Sequence, residues 1–353
     1  MQAWFTRLSA DASRARLHAI YAGLIAANLG AWLWTLLLFA ERPVLLGTAL
    51  LAYGLGLRHA VDADHIAAID NVTRSLVQSG QRPAAVGLFF ALGHSSVVIA
   101  ATAAIALGAP VLATRFAALR EIGGIIGTLI STSFLLAIGA LNLVVLVGVW
   151  RSLRAVRRGG ALPAADLDLL LNRRGLLAPL FGPLFRLVRR SWHMLPLGLL
   201  FGLGFDTASE VGLLGISAIQ AAQGMAVWSI MVFPALFAAS MSLIDTTDGV
   251  LMLGAYDWAF ANPIRKLRYN LVVTAVSVLV ALLVGGIEGF GLIADRLGLN
   301  GAFWDRIGQL NDHADRLGAG IVALFILAWI GAALAYRYAA WGTARTSSPP
   351  LKR

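Results

Sequence analysis

Long uninterrupted apolar runs constrain this chain more than any other feature of its sequence. Several runs extend over about 20 residues or more, and at about 1.5 Å per residue each can cross about 30 Å of hydrocarbon. Hydrophobic residues make up 59% of the 353 residues and charged residues only 13%, whereas soluble domains have about 25% charged residues. The runs do not alternate between apolar and polar residues, which excludes a transmembrane β-barrel. The sequence therefore predicts an all-α, polytopic membrane protein.

The apolar runs predict about eight transmembrane helices. They lie at about 17–40, 43–66, 84–108, 123–149, 195–219, 225–255, 268–294 and 317–340. The chain then divides into an N-terminal transmembrane half, a basic cytoplasmic loop, a C-terminal transmembrane half and a cytoplasmic tail, which cover residues 1–149, 150–194, 195–340 and 341–353.

The distribution of Lys and Arg supports this topology. With the N-terminus in the cytoplasm, the inner segments and the inner ends of the spans hold 21 Lys and Arg residues, the outer segments hold 6, and Arg58 is the one left over, within span 2. The inner group includes Arg74, which falls between spans 2 and 3. Cytoplasmic loops of membrane proteins carry such an excess. We therefore predict a multi-pass protein of the cytoplasmic (inner) membrane with both termini in the cytoplasm, and we interpret the net charge of +10 as a topology signal.

His59, Asp64 and His65 form a candidate metal site in or against span 2. An ionisable residue at bilayer depth costs about 2.5 to 3.5 kcal/mol, so several together indicate a function. The chain has no cysteine, and imidazole with carboxylate suits divalent Ni, Co, Zn or Mn. On one straight helix Asp64 would point roughly 140° away from His59. We therefore expect a helix broken near Gly54–Gly56, an unwound end of the span, or another partner for Asp64.

Further ionisable residues fall within the other spans. His94 lies in span 3, and two carboxylate pairs lie in spans 5 and 6, each pair at a spacing that puts both members on one helix face. Facing carboxylates repel unless they are protonated or share a cation. We assign the acidic residues to an ion pathway or proton relay: Asp62, Asp206, Glu210, Asp245 and Asp248. The alternative interpretation pairs the carboxylates of spans 5 and 6 with Arg58 and with hydroxyl donors.

Four motifs resemble those of the nickel/cobalt transporter (NiCoT) family, whose second span carries His-x4-Asp-His. They occupy residues 58–66, 92–98, 203–214 and 241–249, in the same order as in the family. The resemblance implies a secondary transporter, not an enzyme, that takes up Ni²⁺ and/or Co²⁺ as its substrate and needs no cofactor. It also implies that His59, Asp64 and His65 are central metal-recognition residues and that His94 is a further ligand.

A short similarity suggests an inverted repeat that relates spans 2–3 to spans 5–6. Leu55-Gly56 precedes the acidic and histidine residues of span 2, and Leu203-Gly204 precedes Asp206 of span 5. Spans 2 and 5 run in opposite directions under the predicted topology. Inverted repeats place the substrate site of many transporters at the repeat interface.

Three alternative functions stay open at this point. They are a divalent-metal exporter, a metal transporter of broader specificity and an intramembrane metalloenzyme. The His-Glu-x-x-His pattern of zinc proteases is absent, and so is a P-loop pattern, so no ATPase subunit is implied. The expected partners are a divalent transition-metal ion and the lipid bilayer, without nucleic acid. The ligand types do not distinguish nickel from cobalt.

Overall fold

Helices form all the regular secondary structure in the part of the chain that the computed structural model describes. That part comprises residues 2–108, 112–157, 188–203, 207–260, 263–314, 316–324 and 327. The principal helices are α1 (Gln2–Phe39), α2 (Pro43–His59), α3 (Ala63–Gln78), α4 (Val86–Gly108), α5 (Leu112–Arg157), α6 (Met194–Gly202), α7 (Ala208–Ala222), α8 (Val232–Phe260), α9 (Pro263–Leu297) and α10 (Ala302–Asp312). This confirms the all-α prediction.

Several of these helices are long and apolar enough to cross a membrane. Five qualify by length and composition, and the bent pair α2–α3 would make a sixth. This confirms the prediction of a polytopic membrane protein. Most of the eighth predicted span, most of the 150–194 loop and the whole tail lie outside the described residues, so the count of eight spans stays a prediction.

The span that carries the histidine motif is broken. Helix α2 ends at His59, α3 begins at Ala63, and the two axes bend by 50°. Asp62, the residue before α3, is extended with φ −64° and ψ 147°. The break falls later than the Gly54–Gly56 position that the sequence suggested, and it separates the two histidines. They are therefore free of the angular constraint of one regular helix.

Gly56 serves the packing of α2 rather than the break. A Cβ atom at Gly56 would overlap the carbonyl oxygen of Phe237 in α8. Small residues at such positions let the backbones of membrane helices approach closely. Packing therefore explains this glycine, which lies within a regular helix.

A second interruption occurs in predicted span 5. Helix α6 ends at Gly202 and α7 begins at Ala208, after Thr207 in an extended conformation with φ −83° and ψ 144°. The 9 residues of α6 and the 15 residues of α7 are about 14 Å and about 22 Å long, so neither crosses a bilayer alone. Two interrupted spans support the inverted repeat, which itself stays a prediction.

Helix α8 lies at the centre of the helix packing. It contacts α1, α2, α3, α4 and α9, while α4 packs mainly against α6 and α8. In the α4–α6 contact, Gly93 lies against the carbonyl group of Leu195 and Gly198 lies against that of Phe90. These reciprocal close contacts bring the two interrupted spans to the same region of the bundle.

The position of Arg74 corrects the topology count. The predicted topology places this residue in an inner loop, but α3 extends to Gln78 and Arg74 is only 1% exposed. Helix α3 continues well beyond residue 66, where span 2 was predicted to end. Arg74 is therefore a buried charge within the helix bundle, and the contrast between inner and outer segments does not depend on this one residue.

The helix at residues 316–324 packs against the break between α2 and α3. A Cβ atom at Gly318 would overlap the carbonyl oxygen of Val61 and lie 3.1 Å from the backbone nitrogen of Ala63. A Cβ atom at Gly320, two residues further along, would have no such neighbour within 4 Å. The absence of a side chain at residue 318 thus allows this helix to contact the break.

We expect Gly318→Ala to destabilise the protein and Gly320→Ala not to do so. Alanine favours a helix over glycine by about 1 kcal/mol at either position, but at residue 318 overpacking should cost about 1 to 3 kcal/mol. The measurement is the thermal unfolding midpoint of each purified variant in detergent. Equal midpoints for the two variants would contradict the close contact with Val61.

Candidate metal site

Three buried histidines converge at the break in the first interrupted span. His59 is the last residue of α2, His65 lies in the first turn of α3, and His94 comes from α4. Their ring centroids are 4.7 Å (His59–His65), 4.8 Å (His59–His94) and 4.7 Å (His65–His94) apart. One ring nitrogen from each histidine can be chosen so that all three lie within 4.8 Å of one another. The three side chains form a compact cluster that could coordinate a single metal ion.

Glu210 of α7 extends this cluster with an oxygen atom. The Nε2 atoms of His59 and His94 are 2.9 Å apart, and Oε1 of Glu210 lies 3.0 Å from Nε2 of His94 and 3.8 Å from Nε2 of His59. Two ligands at about 2.0 to 2.1 Å from one ion are separated by about 2.9 Å at a right angle and by about 3.3 Å at a tetrahedral angle. The spacings suit hydrogen bonds and also suit ligands of one ion.

Two carboxylates hold the outward-facing nitrogens of the span 2 histidines. Nδ1 of His59 lies 2.9 Å from Asp62, and Nδ1 of His65 lies 3.2 Å from Asp245. Nε2 of His65 is buried and has no hydrogen-bond partner among the described residues. Carboxylates in this position orient a metal-binding imidazole and increase its basicity. The arrangement directs Nε2 of both histidines away from the carboxylates and makes it available to an ion.

The interrupted helices position these side chains through their first turns. Asp62 precedes α3 and places His65 in the first turn, just as Thr207 precedes α7 and places Glu210 there. The hydroxyl group of Thr207 accepts a hydrogen bond from the Glu210 backbone nitrogen at 3.4 Å and donates one to its carboxylate at 3.2 Å. The Thr207 side chain therefore fixes the start of α7 and the Glu210 carboxylate together.

The structure brings together three of the four residues predicted to hold metal. His59, His65 and His94 form the cluster, whereas Asp64 is half-buried and is not part of that group. Its carboxylate is nevertheless close enough to act electrostatically on both span 2 histidines. Asp206 lies outside the described residues. A metal-binding role for Asp64 stays a prediction.

The predicted acidic residues fall into two groups. Asp62, Glu210 and Asp245 contact the histidines directly. The structure records no contact between Asp248 and a histidine, and it places one oxygen of Asp248 in a buried position without a hydrogen-bond partner among the described residues. The sequence placed all of them on an ion pathway or relay without distinguishing these positions.

Two aromatic residues at the site were not predicted. The ring of Phe90 lies 4.8 Å from that of His65, and the ring of Phe237 lies 5.5 Å from that of His59. They give the cluster apolar walls. Because phenylalanine is common in apolar spans, neither residue carries a signal in the sequence that separates it from its neighbours.

The fold and the cluster define the class of this protein: a polytopic helical membrane protein with a buried imidazole–carboxylate site at interrupted spans. Comparison with known proteins then gives the family. The profile described as "High-affinity nickel-transport protein" (NicO) matches residues 45–335. The chain belongs to this family, which confirms the resemblance found in the motifs. Transport proteins of this kind are not enzymes, in agreement with the prediction.

Relatives in several bacteria are similar over most of the chain. A high-affinity nickel transport protein of Cupriavidus necator is 58% identical over 92% of this chain and 92% of its own. The hydrogenase nickel incorporation protein HupN of Bradyrhizobium diazoefficiens is 55% identical over 93% and 86%. The cobalt transport protein NhlF of Rhodococcus rhodochrous is 44% identical over 82% of each chain. No solved structure matches this chain.

We expect Asp62→Asn to weaken metal binding by about 10- to 100-fold, the usual effect of changing a residue that orients a metal-bound histidine. The substitution keeps the shape of the side chain but removes the carboxylate charge beside Nδ1 of His59. The measurement is the dissociation constant for Ni²⁺ by titration calorimetry of the purified protein. Asp305→Asn, an exposed position, is the control, and equal affinities in the two variants would contradict an orienting role for Asp62.

Proposed function

We propose that this protein is a secondary transporter that takes up Ni²⁺ and/or Co²⁺ across the cytoplasmic membrane. The observation that carries the proposal is the convergence of three buried imidazoles on one point at a break in a membrane span. Family membership supports metal transport, and the names of the relatives include both nickel and cobalt transport proteins. The metal ion is the substrate of the protein and not a cofactor.

In this proposal His59, His65 and His94 supply nitrogen ligands to the ion in transit. Glu210 supplies an oxygen, while Asp62 and Asp245 orient the histidines. Imidazole and carboxylate donors suit divalent nickel and cobalt, and a transport site must also release its ion. Through their motif positions, Asp64 stays a predicted metal-recognition residue and Asp206 a predicted residue of the ion pathway or proton relay.

The proposed site lies between the two transmembrane halves. Residues 1–149 supply the histidines, and residues 195–340 supply Glu210 and Asp245, whose side chains reach across to them. A relative movement of the halves would therefore change the ligand set around the ion. This arrangement supports an alternating-access mechanism, in which an interface between repeats opens to one side of the membrane at a time.

We also propose that the protein lies in the cytoplasmic (inner) membrane with both termini in the cytoplasm. The excess of Lys and Arg in the inner segments supports it. An inside-negative potential of 100 mV is worth about 2.3 kcal/mol per charge, or about 4.6 kcal/mol for a divalent ion. That driving force supports uptake without an ATPase subunit.

Purified protein in liposomes should accumulate Ni²⁺ or Co²⁺ when the interior is made negative. We expect His65→Ala to reduce the initial rate of uptake at least about tenfold. Changing a residue that merely orients a metal ligand reduces affinity or activity by about 10- to 100-fold, and removing a ligand itself should cost more. The assay follows radioactive metal at a potential set with valinomycin.

His18→Ala is the matched control because His18 is exposed and lies outside the cluster. Its variant should transport at the wild-type rate. Wild-type uptake by His65→Ala would refute the proposed site. Metal movement by the wild-type protein only out of cells, measured in a strain that lacks other nickel transporters, would indicate an exporter instead.

A further inference from the structure

An apolar groove lies between α1, α4 and α8, and none of its described lining residues belongs to the histidine cluster. Its volume is about 680 Å³, within the range of about 300 to 1,000 Å³ that is usual for small-molecule pockets. Helix α4 contributes Leu88 and Leu92 to its walls, and α8 contributes the small residues Ala238 and Ala239. Arg16 of α1 is the single charged residue among the described residues that line it. We call this space the α1–α4 groove.

The α1–α4 groove stays open because α1 is fixed on α8 at two points and has no side chain between them. Asn28 donates a hydrogen bond to the carbonyl oxygen of Ala239 at 3.1 Å, and the Tyr21 hydroxyl donates one to Thr247 at 3.2 Å. Gly23 lies between these contacts along α1 and lines the groove. A Cβ atom there would meet nothing within 4 Å. Gly23 therefore leaves space open, unlike the glycines at the helix contacts described above.

The α1–α4 groove begins at the level of the lipid headgroups and continues into the hydrocarbon. The apolar segment of α1 that can cross a membrane begins at Arg14, and under the proposed orientation this end lies at the cytoplasmic surface. Ala27, another lining residue, is 11 residues beyond Arg16, which is about 16 Å along the helix. That distance is about half of the hydrocarbon core of about 30 Å. One acyl chain of the inner leaflet reaches the same depth.

The size of the α1–α4 groove favours an acyl chain over another helix. A membrane-spanning helix about 30 Å long and about 10 Å across occupies about 2,400 Å³, which is more than three times the volume of the groove. An acyl chain is thin and flexible, so it can fill a narrow apolar space between two helices. The groove therefore fits a lipid better than it fits a helix from a second copy of the protein.

The position of Arg16 favours an anionic headgroup. Its side chain is exposed at the inner end of the groove, and a guanidinium binds phosphate oxygens with two parallel hydrogen bonds. A zwitterionic headgroup carries its own cation, which partly cancels this attraction, whereas anionic lipids attract nearby arginines. Arg14, two residues earlier, points about 160° away around the helix and does not line the groove.

We propose that the α1–α4 groove binds an anionic phospholipid of the inner leaflet. Its phosphate lies against Arg16, and one acyl chain lies along Gly23 and Ala27 between α1 and α4. This inference goes beyond metal transport, and it rests on the proposed orientation only for the choice of leaflet. Because α4 and α8 carry His94 and Asp245, the bound lipid supports the helices of the metal site from the membrane side.

The test measures lipid binding to the purified protein by native mass spectrometry. Phosphatidylglycerol is the anionic probe, and phosphatidylcholine with the same acyl chains is the zwitterionic one. Arg16→Gln is compared with Arg14→Gln, and Gly23→Leu is compared with Gly47→Leu. Gly47 is exposed on α2, and a Cβ atom there also meets nothing within 4 Å. In a parallel experiment, a photoactivatable group on the acyl chain of phosphatidylglycerol labels the helices that it contacts.

We expect the wild-type protein to bind one phosphatidylglycerol about fivefold more tightly than phosphatidylcholine, which is about 1 kcal/mol for one arginine beside an anionic headgroup. Arg16→Gln should remove this preference, whereas Arg14→Gln should retain it. Gly23→Leu should remove the specific binding of both lipids, because the new side chain occupies the groove, and Gly47→Leu should not. The photolabel should attach to α1, α4 and α8.

Three results would overturn the inference: an unchanged lipid preference in Arg16→Gln, unchanged lipid binding in Gly23→Leu, and a photolabel found only on other helices. A wild-type dimer that Gly23→Leu dissociates in lipid-free detergent would also overturn it, because a second copy would then cover the groove.

The affinity for Ni²⁺, measured by titration calorimetry, should be the same in all four variants and shows that each is folded. If Gly23→Leu does not fold, Arg16→Gln and the photolabel decide the question. Lipid binding is measured without transport, so a failure of this inference is distinguishable from a failure of the proposed function.

Discussion

The break between α2 and α3 is the constraint on which the rest of the site depends. A continuous helix would fix the angle between His59 and His65, whereas residues 60–62 let α2 end with one histidine and α3 begin with the other. Burying imidazoles and carboxylates at membrane depth is costly, and here they offset the cost by contacting one another. Asp62 plays both parts, because it is the extended residue of the break and the partner of His59.

The second constraint is the close approach of backbones around the break. At Gly56, Gly93 and Gly198 a Cβ atom would overlap a carbonyl oxygen of another helix, and at Gly318 it would overlap the carbonyl oxygen of Val61 in the break. In membranes, where apolar surfaces gain little by leaving lipid, such close packing is a main source of helix association. It also fixes distances, because α4 and α6 in close contact bring His94 and the start of α7 to the same depth. The ligand geometry is therefore a consequence of the helix packing.

The sequence predicted the all-α membrane fold and the histidines that meet, because apolar run length and intramembrane histidines are strong local signals. It left the break open between Gly54–Gly56 and an unwound end of span 2, because residues 60–62 contain neither glycine nor proline. It counted Arg74 as a loop residue because arginine is rare within membrane spans. Only the packing of α3 against α9 reveals that Arg74 is buried. The contacts of Glu210 and Asp245 with histidines more than 100 residues away are tertiary, and no local pattern encodes them.

The central claim is that three imidazoles from separate helix segments bind one transition-metal ion. X-ray absorption spectroscopy of the purified protein with one equivalent of Ni²⁺ tests it most directly, since imidazole rings give a characteristic multiple-scattering pattern. The account predicts about three imidazole ligands with at least one oxygen, in line with the ligand preferences of divalent nickel, and one imidazole fewer in His94→Ala. A nickel shell made only of oxygen atoms, identical in the wild-type protein and in His94→Ala, would contradict it.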